Sequence, residues 1–87
     1  GGMRLTSFPA LSAADQAALK FLDAQVYPLN AYSIGDEHID AVIRLANYRV
    51  GGRKIISARQ GRQGFIAWQL TDAGRAFVRG EAGNAPA

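Results

Sequence analysis

The apolar residues of this chain change their spacing at Gly51-Gly52, and this change limits the folds that the chain can adopt. Before the two glycines, apolar residues recur three or four positions apart, as on one face of a helix, at Ile39, Val42, Ile43, Ala46 and Val50. After them, apolar and polar residues alternate, as in a strand with one buried face. The sequence therefore predicts an α+β chain in which a helix is followed by strands.

Two helices are predicted in the first half of the chain. The first runs from about Ser12 to about Ala24, because Ser12 is well suited to cap it. The second spans 36–50 and ends at Gly51-Gly52, since glycine accepts the left-handed conformation found after many helices. Between them, residues 27–35 form a short segment that is compatible with a loop or with one helical turn.

A β-hairpin is predicted after the glycines. Its strands cover 53–59 and 65–70, and the residues between them are polar and include two glycines. One side of the second strand is expected to be buried, and it carries Ile66, Trp68 and Leu70. A two-stranded hairpin is marginally stable in isolation, so this side must pack on the helices.

A third helix is predicted after the hairpin, with Thr71 as its capping residue. Gly74 within it indicates close packing against a neighbour, because glycine otherwise costs about 1 kcal/mol relative to alanine in a helix. The predicted order is helix, short segment, helix, β-hairpin, helix, in a single domain over 3–79. Gly1-Gly2 is interpreted as a remnant of tag removal, and 80–87 as a flexible tail.

Composition argues against an enzyme and against a secreted or membrane protein. The chain of 87 residues has no cysteine, and His38 is its one histidine. Without cysteine there are no disulfides, which favours the cytoplasm, and no apolar run reaches the roughly 18 residues of a membrane span. On a regular helix, His38 would lie about 200° from Asp36 and Asp40, so these side chains would not share a metal ion. We therefore predict no catalytic residues, no metal and no cofactor.

Charge is divided unevenly between the two halves of the chain. Although the formal net charge is +3, residues 1–43 carry −3 and residues 44–79 carry +7. Seven of the eight basic residues in the second part are arginine, whose planar guanidinium binds phosphate and guanine through paired hydrogen bonds. This division favours a polyanionic partner.

The basic residues concentrate in and around the predicted hairpin, and no acidic residue lies between Asp40 and Asp72. Glycines in the hairpin loop allow its backbone to approach another surface closely. Arginine enters narrow minor grooves, where the potential of DNA is most negative. The residues predicted to bind DNA are Arg49, Arg53, Lys54, Arg59, Gln60, Gly61, Arg62 and Gln63.

The second half of the chain resembles winged helix-turn-helix regulators. The stretch Trp68-Gln69-Leu70-Thr71-Asp72-Ala73-Gly74 is similar to the junction in MarR-like and PadR-like domains, where the second wing strand runs into a Leu-Thr-x-x-Gly helix start. Gln60-Gly61-Arg62 resembles the element by which H-NS-type silencers and AT-hook-like loops enter AT-rich minor grooves. These resemblances imply a small winged-helix-like domain that binds double-stranded, AT-rich DNA in transcription regulation or in a bacterial or phage-type nucleoid.

The second predicted helix differs from the usual recognition helix. Asp36, Glu37 and Asp40 lie at its start, where base contacts are normally made, and their carboxylates would repel phosphates. The hairpin is therefore favoured over this helix as the DNA-binding element. Asp40 and Arg44 are expected to pair one turn apart along the helix.

The same acidic residues leave a second function open. On a winged-helix fold they would face a protein partner, in an interaction module, such as a phage-encoded one, that modulates the transcription machinery. Apolar residues left exposed after core packing would then form the contact surface, with Tyr32, Tyr48 and Phe65 as candidates. A homodimer is compatible with either function, because one such domain would bind DNA weakly.

Overall fold

A computed structural model describes residues 3–4 and 7–80 of the chain. Within these residues the chain forms an α+β arrangement of four α-helices and six short strands. The interpretations of residues 1–2 as a tag remnant and of 81–87 as part of a tail lie outside the described residues. Among those that are described, no helix has both the length and the apolar character needed to cross a membrane.

Three of the four described helices begin at a side chain that accepts a hydrogen bond from a backbone N–H group. The helices are α1 (Ala13–Asp23), α2 (Ala31–Ile34), α3 (Ile39–Leu45) and α4 (Asp72–Val78). Ser12 Oγ accepts from the N–H of Asp15 at 3.2 Å. Asn30 Oδ1 accepts from the N–H of Ser33 at 2.9 Å, and Thr71 caps α4 in the same way. The first predicted helix and its capping residue are confirmed.

The six strands form two three-stranded sheets. They are β1 (Met3–Arg4), β2 (Leu29–Asn30), β3 (Tyr48–Val50), β4 (Arg53–Lys54), β5 (Ile56–Gln60) and β6 (Ile66–Leu70). The first sheet has the order β1-β3-β4, with β1 parallel to β3. The second has the order β2-β6-β5 and is antiparallel. Ile55, between β4 and β5, is fully buried, so the chain passes from one sheet to the other through the core.

The core lies where α1 packs against α3, α4 and β6. Its buried apolar residues are Phe8, Ala18, Leu19, Leu22, Ile34, Ala41, Val42, Leu45, Ile55, Ile56, Trp68, Leu70 and Phe77. The segment 27–35, left open by the sequence, contains β2 and α2. β2 pairs with the outer edge of β6, with Leu29 opposite Trp68. This pairing ties the segment to the second sheet.

The second predicted helix, 36–50, is wrong in its extent. α3 ends at Leu45, and Tyr48–Val50 forms β3. Gly51 and Gly52 were expected to end the helix, but their φ angles of 58° and 81° form the two-residue turn between β3 and β4. A turn with two positive φ angles matches the twist of a hairpin. Val50 packs against the core from β3. An apolar residue at this position is therefore compatible with a helix and with a strand.

The predicted hairpin is present as β5 and β6, joined by residues 61–65. Arg53 and Lys54 were assigned to its first strand but belong to β4. Trp68 and Leu70 are buried as expected, whereas Ile66 is 47% exposed. The hairpin extends beyond the core, so that only the part of β6 nearest α4 is packed. The expected burial of Ile66 is therefore wrong.

Candidate nucleic-acid interface

The β5–β6 hairpin is held at the end where β6 runs into α4. Thr71 Oγ1 accepts from the N–H of Gly74 at 3.0 Å and donates to the carbonyl oxygen of Lys54 at 2.6 Å. The N–H of Thr71 donates to the carbonyl oxygen of Ile55 at 3.1 Å. One threonine therefore caps the helix and bonds the chain between β4 and β5. We call this end of the hairpin the junction.

Gly74 allows α4 to approach the junction closely. It is buried in the first turn of α4, and a Cβ atom placed on it would overlap the carbonyl oxygen of Ile55. The close packing that the sequence predicted at this glycine is thus confirmed. Thr71 and Gly74 are therefore suited to their positions for different reasons. Thr71 caps the helix, whereas Gly74 leaves room for the neighbouring backbone.

The opposite end of the hairpin is a tight turn, which we call the tip. The N–H of Gly61 donates to the carbonyl oxygen of Phe65 at 2.6 Å, and Arg62–Gly64 forms a single 3-10 turn. Gly64 has a φ of 80°, which favours glycine, and Gln63 beside it also has a positive φ of 62°. The positive φ angle therefore accounts for a glycine at position 64. It does not account for Gly61.

Gly61 has an ordinary backbone conformation, with a φ of −92°. A Cβ atom on it would meet the Phe65 carbonyl oxygen at 3.5 Å, an ordinary van der Waals contact. Neither the turn nor its packing requires glycine here. Its effect is to leave a stretch of backbone uncovered between the side chains of Gln60 and Arg62.

Five of the predicted DNA-binding residues lie together on this hairpin, and we call them the tip group. They are Arg59, Gln60, Gly61, Arg62 and Gln63. All five are exposed, and none of their side chains forms a hydrogen bond or an ion pair within the part of the chain that the structure describes. In the strand register Arg59 lies opposite Ala67, so it is on the other face of the hairpin from Trp68.

The other three predicted residues lie on the β3–β4 hairpin and form a separate group, the β3–β4 group. They are Arg49, Arg53 and Lys54. Arg49 Nη1 donates to the carbonyl oxygen of Gly52 at 2.9 Å and thereby supports the turn. At about 3.3 Å per residue, the six positions from Arg53 to Arg59 span at most about 20 Å. The structure thus divides the predicted site into two basic groups along one stretch of chain.

Arg44 is paired inside the helical part of the molecule. Its Nη1 and Nη2 atoms donate to both carboxylate oxygens of Asp15 at 2.9 and 2.7 Å, which joins α3 to α1. The hydrogen bonds from Arg44 hold the pKa of Asp15 below its ordinary value of 3.8, and the same pair raises the pKa of Arg44. The expected pairing of Asp40 with Arg44 is wrong, because the guanidinium turns to a carboxylate on another helix.

Asp23, at the end of α1, binds two further arginines. Arg75 Nη1 lies 2.9 Å from Asp23 Oδ1, and Arg79 Nη2 lies 3.1 Å from the same oxygen. Arg75 also donates to the backbone carbonyl oxygens of Asp23 and Gln25. These bonds attach α4 to α1. Eight basic residues lie in 44–79, and Arg44, Arg75 and Arg79 pair with carboxylates. The other five have no carboxylate partner among the described residues, and they are the cations of the tip group and the β3–β4 group.

The three acidic residues singled out in the sequence lie before and within the first turn of α3. Asp36, Glu37 and Asp40 are exposed and form no ion pair with any described residue. His38 lies among them, and its ring packs on Phe21 with the ring centroids 5.0 Å apart. Within residues 3–4 and 7–80, no group of three metal-ligating side chains is close enough to hold an ion.

An apolar surface lies between these acidic residues and the hairpin tip. Tyr32 is 97% exposed and Phe65 is 62% exposed, and both border a groove of about 470 Å³ that reaches Trp68. The sequence predicts that three aromatic residues, Tyr32, Tyr48 and Phe65, are exposed. This is confirmed for Tyr32 and Phe65. It is wrong for Tyr48, which is partly buried against the core. The groove itself was missed, since it forms from two segments more than thirty residues apart in the sequence.

Known proteins do not identify this arrangement. The chain matches no protein-family model, and comparison with curated proteins and with solved structures gave no match.

Proposed function

We propose that this chain is a small DNA-binding protein of the winged-helix type, acting in transcription regulation or nucleoid organisation, with the β5–β6 hairpin as its wing. The observation that carries the proposal is the difference between arginines that pair with carboxylates and arginines that do not. Those near the helices are bound by carboxylates, whereas Arg59 and Arg62 project from the tip without an acidic partner among the described residues. Uncompensated arginine on a projecting hairpin is suited to phosphate and to the edges of bases.

The order of elements supports the winged-helix assignment. A hairpin follows α3, its second strand runs directly into α4, and the short strand β2 between α1 and α2 completes the sheet. The junction contains the Leu-Thr-x-x-Gly pattern, in which Thr71 and Gly74 have the contacts described above. The helix α3 is short, and Asp40 lies in its first turn, so the wing carries the proposed binding.

The tip is suited to a minor groove in particular. A minor groove is about 6 Å wide, and it admits a narrow backbone more easily than one covered by side chains. Gly61 leaves such a backbone between Gln60 and Arg62, and neither the turn nor its packing requires glycine there. AT-rich sequences have the narrowest minor grooves and the most negative potential, so they are the expected targets. The β3–β4 group would contact phosphates farther along the duplex.

Titration of labelled AT-rich and GC-rich duplexes at several salt concentrations tests the proposal. We expect binding that weakens as salt rises, with a slope near −0.9 for each phosphate neutralised, and tighter binding of the AT-rich probe. Arg62→Ala should weaken binding and reduce the slope by about 1. It should leave the free energy of unfolding unchanged within about 0.5 kcal/mol, because its side chain is exposed.

Lys20→Ala is the matched control, since Lys20 is an exposed cation on α1 that belongs to neither basic group. Its ammonium lies 5.9 Å from the centre of the Phe8 ring, so the free energy of unfolding of this variant is measured as well. Arg75→Ala would be a poor control, because Arg75 bonds α4 to α1. The proposal is wrong if the unmodified protein binds neither duplex at low salt, or if Lys20→Ala and Arg62→Ala weaken binding equally.

The exposed apolar groove favours a second candidate function, a protein-interaction module on the same fold. Tyr32 and Phe65 lie on the surface rather than in the core, and Asp36 lies close by. Such a module would bind its partner in the absence of DNA. An unchanged interaction after Arg59→Ala and Arg62→Ala, with no affinity for either duplex, would favour this function over the first.

A further inference from the structure

Two neighbouring grooves that share Ala31 and Tyr32 form one surface beside the hairpin tip. The first, of about 470 Å³, lies between Tyr32 and the hairpin residues Phe65 and Ile66. The second, of about 520 Å³, lies on the other side of Tyr32 and reaches Ile39 and Asp36. We call this surface the Tyr32 face. Its large apolar side chains are unusually accessible, because Tyr32 is 97%, Phe65 62% and Ile66 47% exposed.

Opposite charges lie at the two ends of the Tyr32 face. At the hairpin end, Gly64 lines the first groove and belongs to the same 3-10 turn as Arg62. At the other end, Asp36 lines the second groove. Arg62 and Asp36 are both exposed and have no ion-pair partner in the described part of the chain. Arg62 borders the face through Gly64 rather than lining a groove, and Tyr32 lines both grooves between this basic border and Asp36.

We propose that a second copy of this chain covers the Tyr32 face in a two-fold symmetric dimer. In such a dimer each surface meets its own counterpart turned by 180°, so residue i contacts residue j and j contacts i. A surface that is basic at one end and acidic at the other becomes complementary to itself under this operation. Tyr32 would pack near the axis, and Arg62 of each copy would meet Asp36 of the other.

A second copy fits this surface better than a nucleic acid does. A nucleic-acid strand along the face would have its phosphates attracted at Arg62 and repelled at Asp36. A second copy has a complementary charge for both ends and an apolar strip for the middle. Arg59 lies on the opposite face of the hairpin from Trp68 and would stay accessible in the dimer. Arg62 would pair with Asp36 of the other copy, so the dimer and a bound DNA would compete for this residue. The dimer does not depend on the proposed DNA binding and can be tested without DNA.

Trp68 provides a direct measurement, because it is the single tryptophan of the chain and it lines the first groove. We expect sedimentation of the protein alone to show a monomer–dimer equilibrium. The emission of Trp68 should shift over the same range of protein concentration. Tyr32→Ala should raise the dissociation constant by at least about tenfold, as for an aromatic residue at the centre of an interface.

Tyr27→Ala is the matched control, since Tyr27 is 75% exposed but lines neither groove. Both tyrosines are exposed, so neither substitution should impair folding, which far-ultraviolet circular dichroism would check. The proposal fails if the protein stays monomeric at submillimolar concentration, or if the two substitutions weaken the dimer equally. A shift of Trp68 emission upon addition of a single-stranded oligonucleotide to a monomer would overturn it in favour of nucleic acid.

Reversal of the charges tests the two-fold arrangement itself. Arg62→Asp and Asp36→Arg should each weaken self-association, because each places like charges opposite one another. An equimolar mixture of the two variants should associate again, since each of the two contacts between positions 62 and 36 in the mixed dimer then joins an aspartate to an arginine. A mixture that associates no better than either variant alone would rule out this pairing.

Discussion

The two ends of the β5–β6 hairpin differ in almost every contact they make. At the junction, Trp68 and Leu70 are buried, and Thr71 bonds the chain between β4 and β5. At the tip, Arg59 and Arg62 are exposed and have no hydrogen-bond or ion-pair partner among the described residues. One short hairpin therefore combines an end that stabilises the fold with an end that is available to another molecule. Substitutions at the two ends should separate stability from binding.

The arginines show the same contrast. Arg44, Arg75 and Arg79 bind carboxylates of α1 and hold the helices together, so replacing them changes the stability of the fold as well as the charge. The arginines of the tip make no such contact within the described residues. A count of basic residues thus overestimates the cations available for a partner, and the ion pairs show which ones remain.

The largest effect is expected at Gly74, at the junction, with Gly61 at the tip as its matched comparison. Gly74→Ala should lower the free energy of unfolding by about 2 kcal/mol, because the new Cβ overlaps the Ile55 carbonyl oxygen. On an exposed helix surface the same change would instead stabilise by about 1 kcal/mol. Gly61→Ala should change stability by less than about 0.5 kcal/mol. Urea denaturation measures both, and a stabilising Gly74→Ala would contradict the close packing at the junction.

The next largest effect is expected from the hydroxyl group at the junction. Thr71→Ala removes the cap of α4 and the hydrogen bond to Lys54, and it should cost about 1 to 2 kcal/mol in thermal or urea unfolding. Thr71→Ser retains the hydroxyl and should lose less than half as much. Equal losses in the two variants would show that the methyl group, rather than the hydroxyl, stabilises the junction.

The smallest effect is expected from the ion pair of Asp15 and Arg44. Asp15→Asn should cost about 1 kcal/mol at pH 7, a modest value because the Arg44 side chain is 50% exposed and its charge is screened by solvent. Since the pKa of Asp15 is lowered in the folded protein, its stabilising contribution is present above the ordinary value of 3.8 and is lost as the pH falls through the folded value.

The difference in stability between the unmodified protein and Asp15→Asn should therefore shrink below about pH 4. Glu37→Gln is the control, because Glu37 is exposed, forms no ion pair with a described residue and lines neither groove. A difference that stays constant down to pH 2.5 would argue against the ion pair; that pH is about one unit below the ordinary pKa of an aspartate.

Local signals in the sequence predicted a good part of this fold. Ser12 and Thr71 cap helices as expected, since a cap depends on residues within one turn. The sequence missed the β3–β4 hairpin, because two glycines suit both the end of a helix and a two-residue turn. It also assigned Arg44 the wrong partner, since Asp15 is 29 residues away and reaches Arg44 only when α1 packs on α3.

The candidate site was predicted in part for the same reason. The tip group was found from composition, because its residues are adjacent in the chain. The Tyr32 face was not, since Tyr32 and Phe65 come together only through the pairing of β2 with β6. The sequence by itself determined the helix caps, the sharp turns and the concentration of arginine around one hairpin, all of which depend on near neighbours. Tertiary structure alone decided which arginines are neutralised and which apolar side chains stay exposed, because both depend on distances between segments that are remote in the chain.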